Sequence, residues 1–180
     1  PPWSTFLVRK LLENTQFRNQ FINQFADEFN GRFKTDKVRE HIDAIANSME
    51  PEMEKHFERW GEGKTVFVWQ SELDVLRSFG RNRQSFLKSY IRNYFGISGM
   101  YQLSIAINNS AAGSVKLNSL QLTSANWQGE YFNNIPVTLT AVPNEGYVFS
   151  HWQGGVDEDD RVIELNRSSN TSLEAVFVPN

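Results

Sequence analysis

Hydrophobic and polar positions divide this chain into two regimes. Up to about residue 95 the apolar residues recur at helical spacing, and from about residue 101 they alternate with polar ones at the period of a strand. The helical regime is organised around residues 14–30, NTQFRNQFINQFADEFN, in which Phe17, Phe21, Phe25 and Phe29 recur every fourth residue with Ile22 between them. A helix gathers these rings on one arc and leaves Asn19, Gln20, Asn23, Gln24 and Glu28 mostly outside it. Arg18 falls inside the arc, where a guanidinium must snorkel or find an acid, and an ion pair organising the helices is favoured over phosphate binding. Before this helix, residues 3–13 carry Phe6, Leu7, Val8, Leu11 and Leu12 at helical spacing. After it, Asn30-Gly31 marks a C-cap and Thr35 caps a third helix over 36–49. Pro51 suits the first turn of a fourth helix that ends near Trp60. Residues 64–70, KTVFVWQ, are β-branched and aromatic and suit an extended segment. A fifth helix runs through Leu73, Leu76 and Phe79 to an interruption at Gly80, and a sixth carries Phe86, Leu87, Tyr90, Ile91, Tyr94 and Phe95 on its buried side.

Beyond Gly96 and Gly99 the alternation Tyr101, Leu103, Ile105, Ile107 reads as a strand with one buried face. Further strands carry Val115 and Leu117, then Ile135, Val137, Leu139 and Ala141, then Tyr147 to Trp152, and last Leu173, Ala175 and Phe177. Turn chemistry separates them, and residues 125–134 read as an aromatic loop or short strand. The expected fold class is α+β: an N-terminal all-α subdomain over 1–97, then a small, mainly antiparallel β domain over 98–180, β-grasp-like or sandwich-like. Charge supports the division. Residues 1–99 hold 15 Lys and Arg against 13 Asp and Glu, net +2, and residues 100–180 hold 3 against 8, net -5.

Composition narrows the chemistry. With 180 residues, 14 Phe and 5 Trp there is material for real cores, which disfavours disorder. The net charge of -3 gives no general pull toward nucleic acid or an anionic membrane surface. No cysteine is present, which excludes disulfides, thiolate zinc sites and a cysteine nucleophile. No apolar run reaches membrane-spanning length and no signal peptide is visible. The opening Pro1-Pro2-Trp3, without Met, suggests a piece trimmed from a longer chain. His41 and His56 lack a ligand partner at i+3 or i+4, and Arg77, Arg81 and Arg83 read as a solvated or acid-paired helix face. Neither a glycine-rich phosphate loop nor a nucleophile elbow occurs.

Two features invite a sharper reading. Asp157, Asp159 and Asp160 cluster with Glu158 after Gly154-Gly155 and offer calcium a set of carboxylates, although the alternate-residue ligand pattern of a helix-loop-helix calcium site is missing. An ordinary solvated hairpin tip is the other reading. Trp127, Tyr131, Phe132 and Trp152 are candidates for stacking on sugar rings, against core packing for at least two of them.

Both halves also resemble known families. The run FLVRKLLENTQFRNQFINQFADEFNGRF, followed by VREHIDAIANSMEPEMEKHFERW and LRSFGRNRQSFLKSYIRNYFG, resembles the C-terminal helical part of the spore-coat protein H (CotH) family of secreted, kinase-like proteins. That resemblance implies an atypical protein-kinase fold using ATP and magnesium. It also implies that the nucleotide-binding lysine and the metal-binding and catalytic aspartates lie upstream, so no catalytic, cofactor or metal residue is carried onto this sequence. The phrases GSVKLNSL, WQGEYFNNIPVTLTAVPNEGYVFSHWQG and TSLEAVF resemble the divergent internalin-type B repeat of bacterial surface proteins, a stalk, spacer or adhesion module. Together they imply a non-catalytic segment with no cofactor of its own: a helical scaffold for an upstream kinase-like core, and an exported surface module. The alternative is a self-contained extracellular module that grips glycan or a surface protein through the β domain. Expected partners are that core, a protein or cell-surface glycan, or a second copy meeting an exposed apolar helical face. Nucleic acid and a membrane span are not expected.

Overall fold

The computed structural model describes residues 3–61 and 63–180; Pro1, Pro2 and Glu62 lie outside the described residues. Four helices come first, α1 (Phe6–Leu11), α2 (Thr15–Asn30), α3 (Thr35–Trp60) and α4 (Val66–Phe95). Eight strands follow: β1 (Met100–Ile107), β2 (Gly113–Leu117), β3 (Leu120–Leu122), β4 (Asn126–Phe132), β5 (Val137–Pro143), β6 (Tyr147–Gly154), β7 (Val162–Leu165) and β8 (Thr171–Pro179). The class is α+β, as the two hydrophobic periods require. No described helix is long and apolar enough to cross a membrane.

Two compact units result. One joins residues 3–30 to Ile91–Asn180, and the other is Gly31–Tyr90. The second is a two-helix hairpin rather than a closed bundle. Sequence spacing divides α3 at Pro51, yet the helix runs through it, because the carbonyl that proline leaves unbonded is that of Asn47, an exposed residue where water can satisfy it. The expected extended segment at 64–70 is instead the start of α4. Its half-buried Val66 and Trp69 continue the face formed by Leu73, Arg77 and Gly80, so side-chain period overrides β propensity there. Gly80 does not interrupt this helix, because it admits a close approach: a Cβ there would lie 2.9 Å from Val38 Cγ1. The Arg77 guanidinium reaches Asp43 across the hairpin at 2.7 Å and Asp74 on its own helix at 2.8 Å. Hydrogen bonds to Asp74 and then Asp43 raise its pKa further. Beyond this seam the hairpin is open. Ile45, Met49, Phe67, Val75, Leu76, Phe79, Phe86 and Tyr90 are exposed, which corrects the expectation that Phe86 and Tyr90 face a core.

The first unit contains a two-sheet β domain, with strand orders β4-β1-β8-β6 and β3-β2-β5-β7. All pairings are antiparallel except the parallel β1–β8 pair at the centre of its sheet. Alternate residues enter the core: Leu103, Ile105 and Ile107 from β1, Leu173, Ala175 and Phe177 from β8, Val137, Leu139 and Ala141 from β5. The sheets close on each other where Gly113 of β2 meets Phe177 of β8, since a Cβ on Gly113 would fall 2.5 Å from the Phe177 ring. β4 is a full strand over the stretch read as a loop or short strand. β7, VIEL, is a strand that the sequence pattern did not reveal.

Candidate functional site

Helix α2 is the element that builds a site on this unit, and it does so with polar residues. Its buried positions are Ile22, Asn23, Ala26, Asp27 and Phe29, whereas Phe17, Phe21 and Phe25 are only half-buried. The fully buried face is therefore turned away from the aromatic arc expected from the sequence, and Asn23 belongs to it rather than to solvent. The physical reason is that the polar stripe Asn23, Asp27, Asn30, at i, i+4 and i+7, meets the free polar groups at the edge of the β domain. The phenylalanines form their own ladder beside it. Phe21 meets Phe25 edge-on at 5.2 Å between centroids, and Phe95 approaches Phe21 at 6.3 Å.

Asp27 is the centre of the joint and only 2% exposed. Its carboxylate accepts from the Tyr131 hydroxyl at 2.7 Å, the Ser119 hydroxyl at 2.5 Å, the Ser119 N–H at 2.9 Å and Asn118 Nδ2 at 3.3 Å. Tyr131 lies on β4 of one sheet, and Asn118-Ser119 form the β2–β3 turn of the other. Asn118 can hold this turn because asparagine tolerates its positive φ of 47°. Burial, followed by the Asp27 charge, pushes the Tyr131 pKa far up, so the phenol remains a donor. Burial also pushes Tyr101, whose hydroxyl has no partner among the described residues, up to about 12.

Asn30 completes the attachment. β4 is an edge strand, and the Asn30 amide bonds both outward-facing backbone groups of Glu130: Nδ2 donates to its carbonyl at 2.9 Å and Oδ1 accepts its N–H at 2.9 Å. Gly129 makes room, because a Cβ there would lie 2.7 Å from Asn30 Oδ1. Asn23 Nδ2 donates to the Pro136 carbonyl at 2.6 Å, while its buried Oδ1 has no partner among the described residues.

Alongside this joint runs a depression of about 860 Å³ lined by amides of α2, among them Gln20, Asn23 and Gln24, and by Asn118, Thr138 and Glu164 of the β domain. A second depression of about 570 Å³ shares Thr15, Asn19 and Pro136 with it and adds Arg18, Tyr94, Asn134 and Asn166. Arg18 is half-buried, and among the described residues its guanidinium reaches only the Thr15 hydroxyl, at 3.4 Å. The acid partner favoured by sequence reasoning is not found among the described residues.

The residues singled out from sequence fall into two groups: Trp127, Tyr131 and Phe132 share β4, and Trp152 lines a depression of about 310 Å³ with Asp157, Asp159 and Asp160. Tyr131, Phe132 and Trp152 are wholly buried, so their ring faces are covered by the core. Trp152 also donates from Nε1 to the Asp160 carbonyl at 3.0 Å. Trp127 is half-buried on edge strand β4, opposite Ile105, with its ring 6.4 Å from that of Tyr131. Asp157, Asp159 and Asp160 are exposed, and the neighbouring Glu158 exchanges backbone hydrogen bonds with Trp152. No group of three or more His, Cys, Asp or Glu among the described residues is arranged to hold a metal ion. Sequence reasoning missed Asp27 and Asn30. Their signal was the i, i+4, i+7 polar stripe flanked by Ile22, Ala26 and Phe29.

Comparison with known proteins divides the chain in the same order as its patterning. Residues 1–87 match the family model described as CotH kinase protein, and residues 103–180 match the one described as divergent InlB B-repeat domain. No curated protein and no solved structure matches significantly. The chain is a CotH kinase family segment followed by a divergent InlB B-repeat domain.

Proposed function

We propose that this chain is a non-catalytic scaffold and recognition segment of a secreted, bacterial CotH-like protein. Its helices buttress a kinase-like core of the same polypeptide upstream of the matched helices, and its β domain is the surface module that the scaffold carries. Division into a helical part, 1–97, and a β part, 98–180, belongs to this reading. One observation carries it: Asp27, the buried acid of the CotH-family segment, is fully engaged by four donors from the B-repeat half. A carboxylate so engaged is a structural group. B-repeat domains are typical of bacterial surface proteins, which supports an extracellular location. The exposed Phe6, Leu7, Val8 and Leu11 of α1 suit docking against the upstream core, or against a second copy when that core is absent.

Isothermal titration with ATP and magnesium, together with an assay of released phosphate, tests this reading. Neither binding heat nor turnover is expected, and micromolar binding accompanied by turnover overturns it. The second reading, a module that itself grips glycan or a surface protein, is favoured by the amide-lined depressions beside α2.

A further inference from the structure

The polar depressions beside α2 combine three kinds of group. Tyr94, on the last turn of α4, is 68% exposed and offers an aromatic face braced edge-on by Phe95 at 4.8 Å. Among the described residues half-buried Arg18 bonds only the Thr15 hydroxyl, and its remaining donors meet no acid. Asn19, Asn134 and Asn166 line the same depression, and each amide both donates and accepts. The adjoining larger depression continues with amides along α2, and there Asn23 Oδ1 is buried without a partner among the described residues.

An exposed ring beside neutral amides matches a ligand with an apolar ring face and many hydroxyls. An unpaired guanidinium matches a carboxylate, which arginine holds bidentately. We infer that this groove binds an acidic oligosaccharide, with a uronic-acid carboxylate on Arg18, the sugar ring over Tyr94, and neutral residues continuing along the amides of α2. Glu164, exposed in the larger depression, sets the polarity: charge is accepted at the Arg18 end and repelled at the other. The inference deepens the recognition half of the function proposed above and is independent of the scaffold half.

Calorimetric titration of the whole chain with trigalacturonate and with neutral chitotriose, at low and high salt, tests it. Trigalacturonate is expected to bind, more weakly at high salt, and chitotriose at least tenfold more weakly. Arg18→Gln is expected to lower trigalacturonate affinity at least tenfold, and Tyr94→Ala by about as much. Absence of trigalacturonate binding, equal affinity for both sugars, or unchanged affinity in folded Arg18→Gln overturns the inference. Should circular dichroism show that Arg18→Gln unfolds, amide shifts in the unaltered protein decide. Trigalacturonate must then perturb the side-chain amides of Asn19, Asn134 and Asn166, and perturbation confined elsewhere overturns the inference. The titration with ATP and magnesium is unaffected by any of these outcomes, so the two readings fail separately.

Discussion

Substituting Asp27→Ala removes the acceptor that joins α2 to both sheets. Four hydrogen bonds are lost, three of them at 2.9 Å or shorter. Hydrogen bonds to a charged group contribute about 1.5–3 kcal/mol each, but burying the carboxylate costs several kcal/mol, so the net loss is well below their sum. The donors left behind differ. Ser119 is on an exposed turn where water can replace the acid, whereas Tyr131 is 0% exposed and its hydroxyl is left without an acceptor. The expected destabilisation is about 3–5 kcal/mol, the range for breaking a buried charged interaction, out of a total of about 5–15 kcal/mol. Tyr131→Phe alone removes one bond of 2.7 Å and is expected to cost about 1.5–3 kcal/mol. The double variant should cost less than the sum of the single ones by about 1–3 kcal/mol, because the same bond is removed twice. Urea unfolding followed by fluorescence measures all three. A cost of less than about 0.5 kcal/mol for Asp27→Ala, or strict additivity in the cycle, refutes the joint as the holding contact.

Further outcomes follow from the packing. Gly113→Ala places a methyl against the Phe177 ring and should cost about 1–3 kcal/mol in urea midpoint analysis, with partial relief on adding Phe177→Leu. Trp152→Ala empties a fully buried site and should cost about 3–5 kcal/mol, whereas half-buried Trp127→Ala should cost about 1–2 kcal/mol; equal losses contradict the burial pattern. The folded-state pKa of Tyr131 is raised and that of Tyr101 lies at about 12. For an acid with a raised pKa, stability is fully present below the unfolded value near pH 10 and declines as pH rises above it, by about 1.4 kcal/mol per pH unit per group. Stability measured across pH 9–12 should be flat and then fall, and Tyr131→Phe should make the fall shallower.

Much of the architecture was legible because hydrophobic period is a local signal. The change from 3.6 to 2 between Phe95 and Tyr101 announces the α-to-β transition, and the alternations in β1, β5 and β8 identify buried faces correctly. Two helix breaks that the spacing predicts do not occur, for a shared reason. Pro51 and Gly80 have low intrinsic helix propensity, but exposure at Pro51 and close packing against Val38 at Gly80 remove the need for a break. β7 was hidden because four residues, VIEL, carry too little alternation to register. The joint was the least legible feature. Asp27 and Asn23 look like solvent-facing residues until a distant turn, an edge strand and the β4–β5 connection about a hundred positions later supply their partners, and such pairing is not encoded in local period. Helical spacing also points Tyr94 inward, yet its ring is exposed at the end of α4.

Helix α2 and the B-repeat domain, joined at Asp27, should fold as one cooperative unit. Native-state hydrogen exchange tests it most directly, by comparing the amides of residues 22–29 in α2 with those of 173–177 in β8. Both sets should open with the same free energy, lowered equally by Asp27→Ala. Exchange in α2 through a separate opening several kcal/mol below that of β8, with β8 unmoved by Asp27→Ala, contradicts it.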